Sequence, residues 1–146
     1  MLEILKTAGS ALTAQRLRMD VVASNLANAE ATSTPEGGPY KRERVVFEPK
    51  LRDTMSKLGD ASSSIASGAN TGGVVVRAIV KDDEDPRMVL DPTHPDADAD
   101  GFVAYPNVDL VTEMTDMLSA SRSYEANITI VNVAKSMAQR ALDIGR

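Results

Sequence analysis

Residues 110–144 read LVTEMTDMLSASRSYEANITIVNVAKSMAQRALDI. Leu110, Met114, Met117, Ser121, Tyr124, Ile128, Val131, Lys135, Ala138 and Leu142 recur there at alternating spacings of four and three. A seam of period 3.5 held this long reads as a coiled-coil stripe, narrower than the apolar face of a helix in a small globular core. Asn107 precedes it as a good N-cap, and Asp109 suits the positive end of the helix dipole. A helix from there to Ile144 is roughly 55 Å long at 1.5 Å per residue, with Gly145 as its natural stop. Ile130, Val133, Met137, Ala141 and Ile144 add a second apolar stripe toward its C-terminal end. A helix with apolar residues on two sides needs more than one neighbour.

The same pattern opens the chain. Leu5, Ala8, Leu12, Gln15, Met19, Val22 and Leu26 alternate in steps of three and four, predicting a helix from about Leu2 to about Asn28. Two prolines and two glycines within Pro35–Pro39 exclude regular structure beyond it. Tyr40 to Leu51 reads as extended around Val45, Val46 and Phe47. Residues 53–58 suit a weak helical turn, and 59–73 a flexible loop of Gly, Ser, Ala, Asn and Asp. Gly73 to Lys81 is the clearest strand, with Val74, Val76, Ala78 and Val80 on one face. The acidic turn Asp82–Pro86 predicts a hairpin between that strand and Arg87–Leu90. Gly101 to Tyr105 is a last short strand. The expected fold is mainly α, or α+β overall. Its three segments are an N-terminal axial helix and its exit (1–34), a small β-rich middle (35–106) and a C-terminal axial helix (107–146).

Composition explains why such helices would seek partners. Among 146 residues there are two Phe, three Tyr and no Trp, so the anchors that dominate core energetics are nearly absent. Seven Met supply adaptable packing instead. The net charge of -5 comes from the middle, where residues 59–107 carry three positive and nine negative charges. No basic face collects phosphates, so nucleic acid is not an expected partner. Without Cys there is no disulfide, thiolate metal site or cysteine nucleophile. No apolar run has the length to span a bilayer. Glu3, Lys6, Thr7, Gln15 and Arg16 interrupt any apolar region of a cleavable signal.

Few residues invite chemistry. Asp96-Ala97-Asp98-Ala99-Asp100-Gly101 begins like an EF-hand calcium loop, which makes a calcium-binding interaction module the alternative reading. Its twelfth position is Asn107 rather than a bidentate Glu, and Asp91-Pro92-Thr93-His94-Pro95 supplies no entering helix. A solvated acidic turn is the reading taken. His94, the only histidine, has no Ser or Cys nucleophile marked out nearby. No catalytic residue, cofactor or metal is expected. Asn25 and Asn28 share one helix face, and their amides suit either specific contacts at a packed interface or a frayed helix end. Along Ser119–Asn127, small residues allow close helix approach, while Arg122 and Tyr124 offer a fork of donors and an anchor.

These segments carry a family resemblance. Ser24-Asn25-Leu26-Ala27-Asn28, then Thr34–Tyr40 and Val45-Val46-Phe47, resembles the N-terminal signature of bacterial flagellar basal-body rod proteins. Tyr105-Pro106-Asn107-Val108-Asp109 and Ser119–Asn127 are similar to the C-terminal signature. The short middle, with Asp91-Pro92 and Asp96–Gly101, is similar to that of the proximal-rod member. The pattern departs after Asn28, where Glu30 and Ala31 replace small polar or hydroxyl residues. The resemblance implies an axial structural protein, not an enzyme, that leaves the cytoplasm uncleaved through the flagellar type III export apparatus. It implies polymerisation in the periplasm with copies of itself and other rod proteins, and contact with membrane-ring and rod-adaptor proteins. The residues expected at the assembly interface are Leu5, Leu12, Met19, Val22, Asn25, Leu26 and Asn28 on the first helix. On the second they are Leu110, Met114, Met117, Ser121, Arg122, Tyr124, Asn127, Ile128 and Val131.

Overall fold

The computed structural model describes residues 2–51 and 71–144. Two long helices enclose the chain at its ends: α1 (Leu2–Ala27) and α2 (Leu110–Ile144). Between them lie β1 (Glu43–Leu51), β2 (Thr71–Lys81), β3 (Arg87–Leu90) and β4 (Phe102–Tyr105). The expected helical turn over 53–58 and most of the expected loop over 59–73 lie outside the described residues; Thr71–Gly73 belong to β2.

The helices pair antiparallel. Asn25, near the end of α1, meets Glu113 in the first turn of α2, and Arg18 meets Asp116. From this register α1 ends well short of the end of α2, which overhangs it by about two turns. The N-cap of α2 differs from expectation. Asp109 Oδ1 accepts from the Val111 amide at 3.1 Å and Oδ2 from Thr112 Oγ1 at 2.7 Å. Asn107 instead donates its side-chain amide to Glu84, at 2.6 Å. A carboxylate at the dipole's positive end is the stronger cap, and these bonds hold the Asp109 carboxyl below its usual range. At the end of α1, the backbone and side-chain amides of Asn28 both donate to the Ser24 carbonyl.

The strand pairing also corrects the sequence reading. β2 pairs antiparallel with β1 rather than β3, from Glu43↔Lys81 to Leu51↔Thr71. β3 pairs with β4 in a separate two-stranded sheet. β1 offers a nine-residue partner where β3 offers four. Basic residues in and just before β1 also neutralise the acidic turn: Arg44 pairs with Asp82, and Lys41 with Asp83 at 3.3 Å. Pro49, which cannot donate to the ladder, lies at an irregularity in β1.

The β1–β2 ribbon packs on α1. Val74 and Val76 are half-buried there; the register shift between Val46 and Phe47 skips Arg77 and reverses the alternation, so Ala78 and Val80, expected on the same face, lie on the opposite one and are exposed. Gly73 makes the approach possible. It is buried with φ of 126°, and a methyl group there would overlap Ser10 Oγ. That hydroxyl accepts the Val74 amide at 3.1 Å. Gly73→Ala is expected to cost about 1–3 kcal/mol, read as a lower midpoint in denaturant unfolding. Acidification is expected to weaken the start of α2. A depressed Asp109 pKa gives stability that is present above the unfolded value and lost as pH falls through the folded one. Circular dichroism of Asp109→Asn should lack that part of the acid-dependent loss of helicity.

Candidate assembly interface

The seam that closes α1 against α2 has small side chains at its most buried apolar positions. Glu113, Met117, Ala120, Tyr124, Asn127, Val131, Ala134 and Ala138 alternate in steps of four and three and are buried or half-buried. This corrects the expected register. Met117, Tyr124, Val131 and Ala138 belong to both seams, but Leu110, Met114, Ile128, Lys135 and Leu142 are exposed. Large apolar residues marked the wrong stripe, because the closest helix contact falls where the side chains are smallest. Ala120 and Ala134 are buried on α2, as are Ala8 and Ala14 on α1.

Of the other residues expected at the interface, Val22 and Asn25 are buried. Leu5, Leu12, Met19, Leu26, Asn28 and Ser121 are half-buried, and Arg122 is exposed.

A polar knot fixes one end of this seam. Asn25 is 1% exposed, and all its hydrogen-bonding capacity is used. Its Nδ2 donates to the Glu43 carbonyl at 2.8 Å and to Glu113 Oε2 at 3.0 Å. Its Oδ1 accepts from the Glu43 amide and from the Tyr40 hydroxyl, both at 2.9 Å. Burial raises the Tyr40 pKa above its ordinary value, so this phenol remains a donor. Of the two alternatives open for Asn25, the structure takes the packed polar contact.

Glu113 is also 1% exposed. Its Oε1 accepts from Arg42 Nε at 2.6 Å and lies 2.5 Å from Arg42 Nη2. Asp116 extends the network, 2.7 Å from Arg18 and 3.9 Å from Arg42. Sequence reading passed over Arg42 and Glu113. Their signal was present: stepping back by sevens from Ala134 through Asn127 and Ala120 reaches Glu113.

Helix exit and hairpin tip are tied down locally. Thr34 and Gly38 close a short loop through Thr34 N to Gly38 O at 2.9 Å, and Tyr40 N donates to Ala31 O at 3.0 Å. Three acids of the 91–101 loop, Asp91, Asp96 and Asp98, are engaged by their own surroundings. Asp98 Oδ1 accepts the amides of Asp100 and Phe102, Asp96 accepts Thr32 Oγ1, and Asp91 accepts both donors of Thr93. His94 Nδ1 accepts the Asp96 amide, and the ring packs edge-on against Tyr105. Among the described residues no cluster of three or more His, Cys, Asp or Glu is placed to hold a metal. No described helix is long and apolar enough to cross a membrane.

Comparison with known proteins gives the class first. Residues 5–33 match the family model described as flagella basal body rod protein. Residues 99–144 match the one described as flagellar basal body rod FlgEFG protein C-terminal. These segments contain most of both helices of the seam. Full-length relatives are more specific. The chain is 47% identical to the flagellar basal-body rod protein FlgC of Bacillus subtilis, covering 97% of this chain and 96% of that protein. It is 44% identical to FlgC of Borreliella burgdorferi, over 96% and 94%. It is 44% identical to FlgC of Salmonella typhimurium, over 100% and 98%. The chain belongs to the FlgC family of flagellar basal-body rod proteins.

Breaking the knot from one side leaves a buried charge. Arg42→Met is expected to destabilise the chain by about 3–5 kcal/mol. Arg42→Met combined with Glu113→Gln should cost less than the single change. Thermal unfolding followed by circular dichroism distinguishes the two.

Proposed function

We propose that this chain is a non-enzymatic structural subunit of the flagellar basal-body rod, placed in its proximal part. It passes torque between the membrane ring and the distal rod and hook. Family membership supports the rod assignment. The observation that carries the mechanism is the distribution of apolar residues. Among the described residues, the buried apolar set is five Ala and three Val, while thirteen larger apolar side chains and five further Val are exposed. Each buried methylene contributes about 0.8 kcal/mol, so an alanine seam binds its partner helix weakly. The large side chains are held back for contacts outside the chain.

In this reading the helical segments 1–34 and 107–146 are the assembling parts, and 35–106 lies against them on the outside. Leu5, Leu12, Met19, Leu26, Met114, Arg122 and Ile128 supply contacts with copies of this chain and with other rod proteins. The membrane-ring and rod-adaptor proteins are its neighbours at the base. The chain reaches the periplasm through the type III export apparatus without cleavage. Ordering a segment costs roughly 1–2 kcal/mol per residue, so the helix ends order fully only when neighbours cover them.

Deleting the gene should leave membrane rings without a completed rod or hook, restored by the intact gene; normal flagella would refute the reading. Leu26→Asp or Ile128→Asp should abolish motility while the protein is still exported, as seen by immunoblotting of the periplasm and electron microscopy of basal bodies. Normal rods in either variant would count against assembly through these helices.

A further inference from the structure

The β3–β4 hairpin carries apolar residues on both faces. Directly opposed residues of an antiparallel pair point the same way, and successive pairs alternate. The register Met88↔Ala104, Val89↔Val103 and Leu90↔Phe102 therefore puts Val89 and Val103 on one face and the other four residues on the opposite one. Val103 is fully buried and Val89 half-buried, so theirs is the inward face. The outward face is open: Met88, Leu90 and Phe102 are 53%, 63% and 40% exposed. A solvated sheet face ordinarily carries polar residues. Between these strands it carries none. Pro92 continues the strip, since a methyl group at Gly101 would meet both Pro92 Cγ, at 3.3 Å, and Leu90 Cδ1, at 3.6 Å. Single exposed apolar residues are ordinary, but a contiguous strip marks a contact surface. Neither strand packs on α1 or α2, so this strip is separate from the apolar stripes left on the helices.

The surrounding charge says what the strip receives. Residues 82–100 contain eight acids and one cation, Arg87. Arg87 pairs with Tyr105 on the inward face, where its guanidinium lies 5.8 Å from the centre of the Tyr105 ring. Asp85 stands two residues before β3, at one end of the strip, and Asp100 two residues before β4, at the other. Both are exposed and have no ionic partner among the described residues. An apolar strip with a free carboxylate at each end repels nucleic acid, phosphate and acidic lipid. It suits apolar side chains flanked by Lys or Arg, whose stems lie along apolar surface while their charged heads reach the acids.

We propose that the outward face of the β3–β4 hairpin docks a basic, apolar segment of a different protein. Met88, Leu90 and Phe102 supply the buried contact, and Asp85 and Asp100 select the partner by charge. Exposed ion pairs add little affinity, so the acids set which segment is accepted and the apolar strip holds it. Only the choice of a different protein over a further copy rests on the rod-subunit reading, which assigns contacts between copies to the helices.

The test places a photo-reactive group on the strip, as Met88→benzoylphenylalanine, in cells where this chain is the sole copy. Intact cells are irradiated, and the chain is purified under denaturing conditions. The joined peptide is sequenced by mass spectrometry. The expected product links the chain to a different protein, through a peptide that carries apolar residues beside Lys or Arg. Asp85→Lys with Asp100→Lys in the same background should reduce its yield severalfold, whereas Asp85→Glu with Asp100→Glu should retain it. These positions are exposed, and equal melting of the purified variants checks that folding is unaffected. A product joining two copies of the chain would overturn the proposal, as would a heterologous product indifferent to the charge reversal. So would the lack of any product from a chain present in basal bodies, which leaves the rod reading intact. Absence of the chain from basal bodies would instead overturn the rod reading, while a charge-dependent product with another protein would still support the docking face.

Discussion

The carboxylate of Glu113 is buried between two helices, and everything near it is arranged so that this charge is tolerable. Removing a carboxylate from water costs several kcal/mol even after the surroundings relax. Here Arg42 supplies the opposite charge and Asn25 a further donor. Arg42 arrives from the segment leading into β1, Asn25 from α1 and Glu113 from α2. Pairing of the helices is therefore conditional on the middle segment being seated. Asn25 reinforces this by bonding both backbone groups of Glu43, as a neighbouring strand would. A wrong register would strand an acid, an amide and a guanidinium in poor surroundings, whereas an alanine seam alone would slide at little cost.

The rest of the seam contributes little by comparison, and that weakness suits the proposed role, in which the larger apolar side chains serve contacts between subunits. A monomer with Leu at every seam position would satisfy itself. This chain keeps Met, Leu, Ile and Val on the outer faces of α2 and places Ala where the helices touch.

Much of the fold was legible in the sequence. The 3.5-residue period located both helices to within a few residues, because length and periodicity reinforce each other over many turns. The strand positions were legible from alternation, but their partners were not. Pairing was decided by a nine-residue ladder and by Arg44, Lys41 and their acids, which are contacts between distant parts of the chain. The seam register failed for a related reason: the large apolar residues that mark a stripe in the sequence are exposed in the single chain, and the most buried contacts fall on Ala120 and Ala134. Asn25 was visible as a residue capable of specific contacts, yet its partners were hidden among ordinary-looking charges. The cap moved from Asn107 to Asp109 because Glu84, far away in sequence, claimed the asparagine.

The polar ties between the two helices among the described residues all sit at one end, at Asn25–Glu113 and Arg18–Asp116. Mechanically, the pair is a tuning fork: a stiff base where three elements are clamped, and two prongs joined by packing without a further polar tie among the described residues. A twisting load entering at the base is carried rigidly into both prongs. At the tips, α1 and the overhanging end of α2 can splay independently and accommodate neighbours at slightly different angles. Stiffness and compliance are thus separated along one molecule by where its few buried charges lie.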